Sequence, residues 1–318
     1  MNGVLIIDKP QGLTSHDVVN RVRRILGERS VGHLGTLDPS ATGVLPLVIG
    51  CFTRLAQFYS HSEKTYEGVI RFGFATDTYD GDGEVTSTPQ KVTLNRDEVG
   101  TLATQFQGIM EQSPPPFSAK KIDGVRAYKL ARKQREVQLK PARVEIKEFV
   151  ILDVDRDRAT FRAHVGSGTY LRSIAHDMGQ KLGCGAHLAA LRRTAVAEFV
   201  IEEAHRLEDL ESAMRQANPH ENPEEALEPL FVHPRKLAPQ LPSVTATEEN
   251  VAMIRTGRAV NLPEMSRAPL VKIFYGQREL VAIGTRIAGT LFHAGIVLAK
   301  DPPHLPRQAV VSRNDLAM

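Results

Sequence analysis

Asp38 is the only acid in the stretch Val31–Gly50, which also holds four glycines, two prolines and a single histidine, His33. A carboxylate held rigidly in a cleft can act as a nucleophile or a base. Pro39 fixes its own φ and confines Asp38 to extended backbone. Gly32, Gly35 and Gly43 let a ligand or a second backbone come close. Two readings stay open on these residues alone: a rigid catalytic acid, or an Asx-type turn stabilised by Asp38 and Thr36. His33 could pair with the acid or serve as a stacking loop histidine.

Arg172 follows Tyr170 at the start of a helix that leaves a Gly-Ser-Gly loop. A cation there opposes the helix dipole, so a carboxylate partner is expected. Asp38 would serve, whereas Asp177, five residues on, is poorly spaced for a same-helix pair. Tyr66 opens an alternating strand on its apolar face and reads as either core or site. Leu191 reads as ordinary core. Between Lys120 and Arg135 lie seven cations with Phe117 and Tyr128 nearby. That mixture suits RNA, where bases stack on aromatics and phosphates pair with Lys and Arg, or else a solvated basic helix. Lys9 and Arg21, Arg23 and Arg24 could extend the same positive field.

These residues need elements to hold them. Gly3–Asp8 reads as a short strand, and Thr14 caps an amphipathic helix over 15–27 with Val18, Val22 and Ile25 in register. The segment 45–57 is strand or helix; periodicity does not decide. Strands are expected at 65–75, 144–154, 159–165 and 194–201, and helices at 96–110, 127–135 and 170–182. "DTYDGDGEV" lacks full calcium-loop spacing and reads as a tight acidic turn. After Ala238 the texture shifts to short strands, so a boundary falls near residue 238, ahead of a small β-rich domain.

The 318 residues are 42% hydrophobic and 24% charged, enough to bury a core. Net charge is +3, yet residues 120–147 carry a local +7 and residues 201–230 a local −7. Asymmetry of this kind can mark a polyanion-binding face. Two cysteines, not in a Cys-x-x-Cys pair, point away from zinc and disulfides and toward a reducing cytoplasm. No signal peptide or transmembrane run is expected.

Five ordered segments resemble one family. "GHLGTLDPSATGVLPL" resembles the signature loop of the TruB family, the bacterial tRNA pseudouridine-55 synthases. "DKPQGLTSHDVV", "KTYEGVIRFGFATDTYDGDGEV", "SPPPFSAKKIDGVRAYKLAR" and "GSGTYLRSIAHDMGQKLGCGAHLAALRR" resemble its N-terminal motif, its strand and acidic turn, its thumb-like insertion and its arginine motif. Together they cover about half of residues 8–193. The C-terminal part resembles a PUA-like RNA-binding domain in outline. Phe117 stands where a tyrosine is common, and Phe52-Thr53-Arg54 where Ala-Thr-Lys is frequent.

The resemblance implies an α/β (α+β) chain. A mixed, largely antiparallel sheet flanked by helices would span 1–238, with a basic RNA-binding insertion at about 114–143, and a PUA-like domain would span 239–318. It implies isomerisation of the T-loop uridine of tRNA to pseudouridine, without a cofactor or metal, in the cytoplasm. Asp38 would be the nucleophile, Tyr66 the stacking tyrosine and base, and Arg172 the partner of Asp38. Tyr170 and Leu191 would line the uracil pocket, and His33 would touch the T-loop beside the vacated base. Lys9, Lys129, Arg132 and Lys133 are the expected further RNA contacts. The protein is expected to act as a monomer on tRNA with no obligatory protein partner. A non-catalytic tRNA-binding or tRNA-folding role is the alternative. A small-molecule hydrolase would need neither a basic insertion nor a second RNA-binding domain.

Overall fold

A computed structural model describes residues 1–117, 140–216 and 226–298, and the backbone of two short paired strands at 121–122 and 125–126. Lys129, Arg132, Lys133 and the helix expected at 127–135 lie outside the described residues.

The elements run β1 Gly3–Lys9, α1 Ser15–Leu26, β2 Val31–His33, β3 Thr42–Ile49, a 3-10 helix Gly50–Tyr59, β4 Lys64–Phe72, α2 Arg96–Thr104 and β5 Gly108–Gln112. After β6 Lys121–Ile122 and β7 Val125–Arg126 come β8 Ala142–Asp155, β9 Arg158–Val165, α3 Leu171–Lys181, β10 Ala186–Val196, β11 Phe199–Val200 and α4 Leu207–Gln216. The first compact unit ends at Val232, six residues before the expected boundary.

Its nine-stranded sheet has the order β1-β3-β10-β4-β9-β8-β5, with β2 on β3 and β11 on β10. Only β3 and β10 run parallel; the other pairs are antiparallel. Where they cross, Gly43 sits at φ +101, and a Cβ there would lie 2.1 Å from the Arg193 carbonyl oxygen. Glycine is therefore required for the pairing. On the edge strand, Gln112 pairs with Ala142, so the intervening basic insertion leaves and re-enters the sheet at one rung of the ladder.

Helix α1 forms because Thr14 and Asp17 close a capping box and Gly27 takes the left-handed conformation that ends it. Val18 and Val22 are fully buried, joining Leu5, Ile7, Leu45 and Leu47 and Leu207 and Leu210 of α4. Each such side chain contributes about 1.5–3 kcal/mol. A second core places Val99 and Leu102 of α2 and Ile174 and Met178 of α3 against Ile70, Phe149 and Phe161 of the sheet.

Two expectations need correction. The helix beginning at Arg96 stops at Thr104, where the amides of Gln105, Phe106 and Gln107 each bond three residues back, and Gly108 at φ +94 then turns the chain into β5 at 108–112. The segment expected as one strand at 194–201 is divided: β10 begins at Ala186 and stops at Val196, a turn at 197–198 folds β11 back onto it, and Ile201 opens a 3-10 helix.

The second unit begins at His233. It contains β12 Ser243–Ala246, α5 Glu248–Arg255, β13 Val260–Asn261, β14 Leu270–Tyr275, β15 Glu279–Ala288 and β16 Leu291–Val297. Its sheet order is β12-β14-β15-β16-β13.

Candidate active site

Asp38 occupies a turn that its backbone closes without the side chain: the Ala41 amide donates to the Asp38 carbonyl at 3.1 Å, with Pro39 at the second position. The carboxylate is thereby left for another partner. Arg172 supplies it. Its Nε lies 3.0 Å from Asp38 Oδ2, and its Nη2 donates to Oδ1 at 3.3 Å. This is a two-pronged guanidinium–carboxylate pair.

Arg172 is the second residue of α3 and its side chain is 8% exposed, against 41% for that of Asp38. The cation lies deep and the acid faces outward. The remaining arginine donors meet the Thr78 carbonyl at 3.1 Å and the Phe117 carbonyl at 3.1 Å. Asp80 Oδ2 lies 3.6 Å from Nη1. These acceptors explain how a cation is tolerated at a helix start. Asp80 was not singled out in the sequence, where its acidic turn reads as punctuation. It is buried, burial raises its pKa, and its Oδ1 accepts from the Thr78 hydroxyl at 2.5 Å.

Two buried cations support the Asp38 loop from beneath. Lys9, expected as an RNA contact, is fully buried, and its ammonium donates to the carbonyls of Pro10 at 2.9 Å, Leu13 at 2.6 Å and Pro39 at 3.2 Å. With its donors turned inward, it holds the loop instead of meeting phosphate. Arg193, which the sequence did not mark, is also fully buried and donates to Val44, Thr36 and Gly35 carbonyls at 2.8, 3.2 and 3.0 Å. Ser15 fixes Leu37 from both sides, accepting from its amide at 2.8 Å and donating to its carbonyl at 3.2 Å.

On the basic face of α1, Arg24 is exposed, while the other two arginines are engaged within the protein. Arg21 donates to Glu211 and Glu208, and Arg23 to the Val31 carbonyl.

Tyr66 lies on β4, 8% exposed, in the same core as Leu37 and Leu171, with Leu191 packed against that core. Tyr170 precedes α3, and its backbone exchanges two hydrogen bonds with Gln112, at 2.8 and 3.0 Å. His33 ends β2 and accepts from the Gly35 amide at 3.3 Å; burial, with Arg193 nearby, lowers its pKa. Among the described residues no group of His, Cys, Asp or Glu side chains could hold a metal ion, and no helix is long and apolar enough to cross a membrane.

Two family models match the chain. The model of the TruB family pseudouridylate synthase N-terminal domain matches residues 23–171, and that of the tRNA pseudouridylate synthase B C-terminal domain matches residues 172–234. The chain is 48% identical over 301 residues to a protein of Solibacter usitatus named tRNA pseudouridine synthase B, covering 94% of this chain and 100% of that one.

The chain belongs to the TruB family.

A second TruB relative of the same name, from Aquifex aeolicus, is 40% identical over 293 residues, covering 92% and 98%. Among solved structures, an archaeal box H/ACA sRNP Nop10-Cbf5 complex matches with a TM-score of 0.66 and 26% identity, covering 93% of this chain and 85% of that one. The second TruB domain model ends within two residues of the point where the first compact unit ends.

Proposed function

We propose that this chain is a tRNA pseudouridine synthase that isomerises the T-loop uridine, position 55. The N1–C1′ bond breaks, the uracil turns, and C5 bonds to C1′. C5 loses a proton and N1 gains one, so the atoms balance without a redox carrier. The target base must first leave its stack, which costs a few kcal/mol, offset by stacking on an aromatic side chain and by a group filling the vacated place.

The Arg172–Asp38 fork carries this reading. It holds an outward-facing carboxylate in one orientation while the cation stays buried. In the proposed roles, Asp38 drives cleavage of the glycosidic bond and Tyr66 stacks on the uracil and accepts the C5 proton. Tyr170 and Leu191 line the base pocket and His33 fills beside the flipped nucleotide. Lys129, Arg132 and Lys133 hold phosphates, and the unit from His233 onward is an RNA-binding module of PUA-like type. The chain works as a cytoplasmic monomer on tRNA.

Asp38→Asn keeps the shape and removes the charge. It should abolish pseudouridine formation and leave tRNA affinity nearly unchanged. Comparable turnover would reject Asp38. Pseudouridine mapping of tRNA from a strain lacking the protein tests the substrate, and an unaltered T-loop uridine would overturn it. Sedimentation of the chain with tRNA tests the monomer.

A further inference from the structure

Tyr79 is one of the few non-glycine residues with a left-handed backbone, at φ +65. Side chains disfavour that region, so the surroundings must impose it. Its amide donates to the Thr76 carbonyl and its carbonyl accepts from the Leu188 amide at 3.0 Å. Its ring lies flat on His176, with centroids 3.8 Å apart and planes 13° apart.

The neighbours of Tyr79 give this stack a function. Thr78 and Asp80, on either side, present a carbonyl and a carboxylate to the same nitrogen, Nη1 of Arg172. His176 lies four residues after Arg172 on α3, hence on the same face one turn later. The acidic turn is thus pinned to the helix at two consecutive turns, once through the arginine and once through the rings. His176 Nδ1 is buried and has no hydrogen-bond partner among the described residues, so the stack is the contact the structure gives this ring. Burial lowers the His176 pKa, which favours the neutral ring.

We propose that Tyr79 and His176 form a clamp that positions Arg172, and through it Asp38, with Tyr79 as a positioning residue that does not touch substrate. This rests on the functional reading above for its activity readout and on geometry alone for the rest.

The test uses the full chain with Tyr79→Gly and Tyr79→Phe. Glycine accepts the left-handed backbone and removes the ring; phenylalanine keeps the ring. Tyr79→Gly should lower the single-turnover rate roughly tenfold or more, with tRNA affinity within about twofold, because small misplacements of reacting groups are costly. Tyr79→Phe should stay within about twofold of the parent. In an Arg172→Lys background, Tyr79→Gly should add little further loss, since both act through one group. Independently of activity, the Arg172 Nε–H resonance, assigned by its absence in Arg172→Lys, should exchange with solvent roughly tenfold faster in Tyr79→Gly only.

Unchanged exchange in Tyr79→Gly would overturn the clamp, as would multiplicative losses with Arg172→Lys. Weakened binding at a normal rate would make Tyr79 an RNA contact instead. A parent chain that makes no pseudouridine would sink the functional reading, while the exchange measurement would still decide the clamp.

Discussion

The Lys9 ammonium lies 3.2 Å from the carbonyl oxygen of Pro39, the residue directly after Asp38. A buried cation here has carbonyl dipoles as its nearest acceptors, and burial lowers its pKa to about 8. Between about pH 8 and the unfolded value of 10.5, the unfolded chain holds a proton that the folded chain has lost. The free energy of unfolding must therefore rise with pH across that window, and the desolvation cost stands undiminished below it. Lys64, also lowered to about 8, contributes to the same rise. Lys9→Met should remove roughly half of it. Denaturant titrations of both proteins from pH 7.5 to 10.5 would show this, and identical slopes would refute it.

Arg172→Lys retains the charge and loses the fork. Lysine cannot meet both Asp38 oxygens together with the Thr78 and Phe117 carbonyls. Turnover should fall roughly tenfold or more with little change in tRNA affinity. Single-turnover rates at saturating enzyme, beside filter-binding constants, check this. Weaker, salt-sensitive binding at a normal rate would assign Arg172 to a phosphate.

Asp80→Asn should have the same signature in milder form. It leaves the Thr78 contact possible and deletes the second negative charge near Nη1. A severalfold slower single turnover with unchanged affinity is expected. Parent-like rates would leave Asp80 a turn-former only.

Gly43→Ala places a methyl against the Arg193 carbonyl in a left-handed backbone. It should destabilise the first unit by about 3 kcal/mol, roughly 6–12 °C in melting temperature. A loss under 2 °C would mean that β3 and β10 separate easily.

Replacing Lys129, Arg132 and Lys133 with Ala should weaken tRNA binding and flatten its logarithmic salt dependence by up to about three phosphate contacts' worth of slope. An unchanged slope would remove these residues from the interface.

Much of the scaffold was legible because local rules suffice for it. Thr14, Asp17 and the valine spacing specify α1, and the alternation from Tyr66 to Phe72 specifies β4. The Asp38–Arg172 pair was inferred from a cation misplaced at a helix start. What escaped depends on distant chain. Nothing near Lys9 or Arg193 marks them as buried, because their acceptors are carbonyls of a loop that must first fold over them. Asp80 escaped because its turn is locally ordinary, and only α3 brings an arginine to it. The full length of β10 escaped because an inner strand between two neighbours need not alternate.

Because Gln112 and Ala142 face each other across one rung, the chain between them is an excursion whose two ends are already joined. Its length can change with small cost to the sheet, since closing a loop whose ends are held together grows only slowly with the number of residues. The edge of the sheet is therefore a socket. Segments of different length and charge can be exchanged there, provided a carbonyl returns to the place of Phe117 beside Arg172. An insertion that binds tRNA, as proposed above, would then let substrate range diversify by cassette replacement while the Arg172–Asp38 fork stays in place.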